Sequence, residues 1–172
     1  CLSPYRKNIR EFRNIVLDGK CLLSYEKQIP FVIGDGESSI IELLSEFVKS
    51  NNDISLKAGK LFDNSLIRKM TVIPKQNEKI FLQSKHNRFS GTKYEIVDNS
   101  EMKQLAIKAA NAINAKFVSV DIINSEKFGL EVLEINASVS IHFPLFSEAA
   151  SINNPSEVEI FRLALKETFS LK

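Results

Sequence analysis

Apolar and polar positions alternate most regularly over Phe117–Asn136, FVSVDIINSEKFGLEVLEIN. The alternation predicts two strands joined by a short polar turn near Ser125 to Phe128. On the first, Phe117, Ser119, Asp121 and Ile123 share a face, with Val118, Val120 and Ile122 on the other. On the second, Leu130, Val132, Glu134 and Asn136 share a face, opposite Glu131, Leu133 and Ile135. Paired through that turn, Asp121 falls opposite Glu134. The oxygen-bearing side chains Asp121, Glu134 and Asn136 then gather at one end of one face. Val120, Ile122, Leu133 and Ile135 are left to pack beneath.

The same reading gives the other elements. Asp18-Gly19 between Glu11–Leu17 and Lys20–Lys27 marks a tight hairpin. Pro30 to Val32 runs extended, and Gly34-Asp35-Gly36 is a glycine-punctuated turn. A helix follows over Glu37–Ser50, capped by Ser38 or Ser39, with Ile40, Ile41, Leu43, Leu44, Phe47 and Val48 as its apolar side. Lys79–Gln83 and Tyr94–Val97 read as strands. Asn99 or Ser100 caps a helix over Glu101–Asn114 lined by Met102, Leu105, Ala106, Ala109, Ala110 and Ile113. Asn154 and Pro155 open a last helix, Ser156–Ser170, whose expected buried stripe is Val158, Phe161, Leu165 and Phe169. The expected fold class is α+β: a mainly antiparallel sheet, built from the two hairpins and the strands of Lys79–Val97, with helices packed on it.

With 172 residues, one domain with a real core is expected across 1–172. A net charge of +2, with scattered basic residues, gives no footprint for nucleic acid or an anionic membrane. Cys1 and Cys21 form neither a disulfide framework nor a zinc pattern, which favours a reducing, cytoplasmic setting, with Cys21 buried and inert. No signal peptide or membrane-length apolar run is present in the sequence.

The chemistry legible at this level has two readings. Asp121, Glu134 and Asn136 suit a hard divalent cation, which takes oxygen ligands completed by phosphate and water. They equally suit the wet face of an ordinary hairpin. Arg13 is either a surface arginine or a fork for phosphate or carboxylate. His86 reads as a surface residue and His142, beside Phe143 and Pro144, as packing. Gly34-Asp35-Gly36 lacks the lysine and hydroxyl residue of a phosphate loop.

Taken in order, EFR (Glu11–Arg13), the Asp18-Gly19 hairpin, YEKQIPFVIGDG (Tyr25–Gly36), FLQSKHNRFSG (Phe81–Gly91), LAIKAANAIN, VDII and LEIN resemble the C-terminal part of an ATP-grasp ligase. The likeness is nearest to the branch with RimK-type glutamate ligases, cyanophycin synthetase and the ligase half of fused glutathione synthetases. It runs to about Phe146. It implies ligation of a carboxylate to an amine or thiol through an acyl phosphate, with ATP cleaved to ADP and phosphate. It also implies two magnesium or manganese ions.

By matching positions, the resemblance makes Asp121 the first metal's ligand, Glu134 the bridging carboxylate and Asn136 the second metal's amide ligand. Arg13 would steady the transferred phosphoryl group. Lys27 and the loop from Asn87 to Gly91 would hold phosphate or phosphorylated substrate, and Leu133 would touch adenine, although simple parity turns Leu133 away from Glu134. The partners implied are ATP and small-molecule or peptide carboxylate and amine substrates, and full-length relatives often associate.

Members of this family carry ATP-anchoring lysines and a glycine-rich loop upstream of the EFR strand, whereas Arg13 lies twelve residues from Cys1. The expectation is therefore a fragment of a longer enzyme, weak or inactive alone, with 30–78 as an insertion or subregion. The segment ASVSIHFPLF lacks the usual proline-containing continuation and is nearer a Gly-Val-type branch. A non-catalytic ATP-grasp descendant is the alternative from another class, and an α/β domain without a site is the third.

Overall fold

The computed structural model describes residues 9–50, 64–82, 93–139 and 157–169. The chain divides into two compact units, Cys1–Lys27 with Tyr94–Lys172, and Gln28–Lys93.

The first unit is built on β1 (Ile9–Leu17), β2 (Lys20–Gln28), β5 (Lys93–Ile96), β6 (Phe117–Ser125) and β7 (Gly129–Asn136), in the sheet order β5-β2-β1-β6-β7. Asp18 and Gly19 both take positive φ, 44° and 73°, which twists the β1–β2 turn in the same hand as the strands it joins. β1 pairs antiparallel with β2 and with β6, and β6 with β7. Helix α3 (Ser100–Ala112) starts where Asn99 accepts a hydrogen bond from the Met102 N–H at 2.9 Å. Its Met102, Ala106 and Ala110 bury against Phe12, Val16, Val118, Val120 and Ile122, with Leu105, Ala109, Leu130 and Ile135 part-buried around them. On the opposite face, Ile160 of α4 (Glu157–Phe169) packs with Ile15, Leu23 and Tyr25, and Phe161 meets Phe117 edge-on at 6.1 Å.

In the second unit, β3 (Phe31–Ile33) pairs antiparallel with β4 (Lys79–Phe81). Val32, Ile40, Leu43, Leu44, Leu66 and Leu82 form its core, drawn partly from α1 (Ile40–Ser50) and α2 (Asn64–Ile67). Ahead of α1, Asp35 accepts bonds from the Glu37 and Ser38 N–H groups and the Ser38 hydroxyl. These bonds hold its carboxyl down at about 2. Ser39 donates from its N–H and hydroxyl to Glu42, half of a capping box. Gly34 is required because a Cβ there would lie 2.3 Å from the Lys75 carbonyl oxygen.

Several expectations are corrected. β4 pairs with β3 in a separate two-stranded sheet and does not join the main one, because Phe81 and Lys79 meet Phe31 and Ile33. α1 begins at Ile40 rather than Glu37, since the Asp35 turn and Ser39 box occupy the residues before it, and Ile41 is exposed. Ile113 is exposed because α3 ends at Ala112. The buried stripe of α4 is Ile160 and Ala164 with part-buried Phe161, not Val158 and Leu165, which are 77% and 54% exposed. Cys21 is half-buried, its thiol pushed up by burial. No helix among the described residues is long and apolar enough to cross a membrane.

Candidate functional site

Three strand pairings put one row of side chains across the main sheet. Arg13 of β1 stands opposite Tyr25 of β2 on one side and Asp121 of β6 on the other, and Asp121 stands opposite Glu134 of β7. The next rung holds Lys27, Glu11, Ile123 and Glu131, and the rung on the other side holds Leu23, Ile15, Ser119 and Asn136. Alternation places all three rungs on one face.

Two bulges make this row possible. β2 carries an extra residue opposite Ile15 and Val16, where the register moves from Leu23 to Cys21. Without it Arg13 would face Ser24, and Tyr25 and Lys27 would turn to the α3 side. β7 carries an extra residue, Leu133, between the Asp121–Glu134 and Ile122–Val132 pairs. The hairpin closes with Ser125 opposite Gly129, so an unbulged ladder would set Asp121 against Leu133 and turn Glu134 away. The bulge also corrects the expected faces. Leu130 packs on the α3 side with Ile135, and Val132, opposite Ile122, shares that side. Leu133 is 47% exposed and does not pack beneath. Counted from Val132, parity puts Leu133 on the Asp121 face, which removes the conflict with simple alternation.

The row is an ion cluster. Arg13 donates from Nε and an Nη to the two Asp121 oxygens, both at 2.7 Å. Lys27 Nζ donates to Asp121 Oδ2 at 2.8 Å and to Glu11 Oε1. Asp121 is 1% exposed, so it is no solvated strand residue. Burial pushes its carboxyl up, but the Arg13 bonds and the Lys27 charge and bond outweigh this and hold it below the ordinary 3.8. Arg13 is raised in turn, first by its bonds to Asp121. Glu134 is exposed and accepts from the Asn136 amide at 2.8 Å.

Ser119 Oγ, buried in the neighbouring rung, has no hydrogen-bond partner among the described residues, and the Tyr25 hydroxyl is buried in the row itself beside the Arg13 guanidinium. Burial pushes the Tyr25 phenol above its ordinary 10.0. Tyr25, Ser119 and Glu11 escape a sequence reading. Alternation alone sets Glu11 beside Arg13 and Ser119 beside Asp121, but nothing in the residue types marks either for a role, and Tyr25 falls on this face only through the β2 bulge. Asn87, Gly91, His86 and His142 lie outside the described residues.

The donor set fits a hard cation. Asp121 and Glu134 offer carboxylate oxygens and Asn136 an amide oxygen, with phosphate and water left to complete a shell. Asp121 Oδ1 takes one hydrogen bond and retains capacity for another partner. Among the described residues no three His, Cys, Asp or Glu side chains come together as a self-sufficient metal site. Any cation here thus depends on Asn136 and on ligands from outside the cluster.

The chain is 28% identical over 159 residues to the glutathione biosynthesis bifunctional protein GshAB of Clostridium perfringens (strain 13 / Type A), a match covering 80% of this chain and 20% of that protein. The crystal structure of a bifunctional glutathione synthetase from Pasteurella multocida superposes with a TM-score of 0.58 at 19% identity, over 94% of this chain and 24% of that one. The chain therefore spans about a fifth to a quarter of the length of these relatives. The RimK-like ATP-grasp domain profile matches residues 34–158, and the chain belongs to that family.

Proposed function

We propose that this chain is the metal- and phosphate-binding half of an ATP-dependent ligase that joins a carboxylate to an amine or thiol. The observation that carries the reading is the Arg13–Asp121–Glu134 row, set on one sheet face in a member of the RimK-like ATP-grasp family. In the reaction, a substrate carboxylate oxygen attacks the γ-phosphorus of ATP and the bond to the β-phosphate oxygen breaks, releasing ADP. The amine then attacks the acyl carbon, the acyl C–O bond breaks, phosphate leaves and the amine gives up a proton.

Such chemistry asks the protein mainly for position and charge. Magnesium or manganese bound here would neutralise charge on the β- and γ-phosphates. Asp121, Glu134 and Asn136 would hold it, with Glu134 shared between two ions. Arg13 exchanges part of its hold on Asp121 for the transferred phosphoryl group, and Lys27 keeps the buried carboxylate balanced meanwhile. Leu133, on the same face and exposed, would offer an apolar surface to the adenine. In this reading 1–172 is the C-terminal part of the grasp, working in the cytoplasm as part of a longer enzyme.

A second reading keeps the fold without catalysis, with the Arg13–Asp121–Lys27–Glu11 cluster as a structural ion network. It is favoured by the hold that Arg13 and Lys27 already have on both oxygens of Asp121. Calorimetric titration of magnesium-ATP into the whole chain and into an Asp121→Ala, Glu134→Ala double variant separates the two. The ligase reading expects binding to be lost in the double variant. Equal affinity in both proteins would leave only the structural network.

A further inference from the structure

We propose that Ser119 is a positioning residue that orients the Asn136 amide when a cation is bound, an inference that rests on Asp121, Glu134 and Asn136 being its ligands. Ser119 and Asn136 are direct cross-strand partners in the β6–β7 ladder. Ser119 is 0% exposed, and its hydroxyl has no partner among the described residues. A buried hydroxyl without a partner is costly, and alanine would fill the same place without that cost.

Its neighbour has the complementary need. The Asn136 amide nitrogen donates to Glu134 Oε1 at 2.8 Å. Sharing the Glu134 oxygens with a cation would weaken that bond. An Asn136 carbonyl directed at the same cation would carry its NH2 group to the opposite side, over β6. Side chains facing each other across an antiparallel pair start from Cβ atoms about 4.5–5.5 Å apart, within hydrogen-bond reach for an amide and a hydroxyl. On the far side of Ser119 stands Ile15, which has no polar side-chain atom to compete. The Asn136 N–H would therefore meet Ser119 Oγ, giving the buried hydroxyl the partner it lacks and the amide an acceptor away from the cation. The bond fixes which end of the amide faces the metal, as outer hydrogen bonds do for other ligands.

The test is Mn2+ binding by the full 172-residue chain, with free Mn2+ read by electron paramagnetic resonance. Four proteins are compared: wild type, Ser119→Ala, Asn136→Ala and the double variant. Ser119→Ala should weaken Mn2+ binding about fivefold, the worth of one neutral hydrogen bond. It should cost nothing further in the Asn136→Ala background, and the metal-free melting temperature should hold or rise. Wild-type affinity in Ser119→Ala would overturn the inference, as would an equal loss in both backgrounds or a lower metal-free melting temperature. Loss of binding in Asn136→Ala but not in Ser119→Ala overturns the inference alone. No Mn2+ binding by wild type, or undiminished binding by Asp121→Ala, overturns the ligand reading and the inference with it.

Discussion

Replacing Arg13 by alanine should destabilise the first unit by about 3–5 kcal/mol, the range for breaking a buried ion pair and leaving one charge behind. The structure supports the upper part of that range. Asp121 is 1% exposed, and Arg13 supplies a bond to each of its oxygens at 2.7 Å. The cluster of Arg13, Lys27, Asp121 and Glu11 is formally neutral, and without Arg13 it carries one surplus negative charge. Lys27 cannot compensate fully, because it is already shared with Glu11. With a urea dependence of about 2 kcal/mol per M, the unfolding midpoint falls by about 1.5–2.5 M. Circular dichroism at pH 7 in a urea series reads it. An Arg13→Met, Asp121→Leu double variant should recover most of the loss, since apolar replacement of a whole buried pair is often neutral. A shift under about 0.5 kcal/mol for Arg13→Ala, the behaviour of exposed pairs, would refute the buried-cluster argument. So would a double variant as unstable as the single one.

Other consequences are open to direct measurement. Because the folded Asp121 carboxyl sits below its ordinary 3.8, its stabilisation is complete above that value and is lost as pH falls through the lower folded value. Urea midpoints should therefore drop below about pH 4, and Asp121→Asn should flatten that drop. Gly34→Ala forces a Cβ to within 2.3 Å of the Lys75 carbonyl. It should cost about 1–3 kcal/mol, read as faster amide exchange in β3 and β4; unchanged exchange there would count against the close approach. Ile160→Ala should cost about 2–5 kcal/mol, whereas Val158→Ala should stay within about 0.5 kcal/mol. Equal thermal shifts for the two would contradict the observed face of α4.

What could be read without coordinates follows from short-range chemistry. The Asp18-Gly19 turn needs positive φ and declares itself by residue type, and Asn99 caps α3 as its side chain requires. Strand runs in β1, β2, β6 and β7 show in their short apolar runs bounded by turn residues, since β2 and β6 are buried on both faces of the sheet. The helix faces were less legible. In α4 the residues Val158, Phe161 and Leu165 make as good a stripe on paper as Ile160, Phe161 and Ala164. Only the sheet surface, with Phe117, Ile15 and Leu23 at fixed places, selects between them. β4 reads as a strand, but its sequence does not say that its partner is β3.

The Phe117–Asn136 hairpin shows the division most clearly. By itself the sequence determined that Asp121, Glu134 and Asn136 lie on adjoining strands, and that an arginine and a lysine flank a hairpin elsewhere. The tertiary structure decided that they meet. A period of two propagates any one-residue slip to every side chain beyond it. The faces of Lys27, Tyr25 and Glu134 thus depend on the extra residues in β2 and β7. Bulges arise where twist and packing across several strands are reconciled, which no alternation within one strand records. The burial of Asp121 between two cations is decided at the same level, because its partners come from β1 and β2.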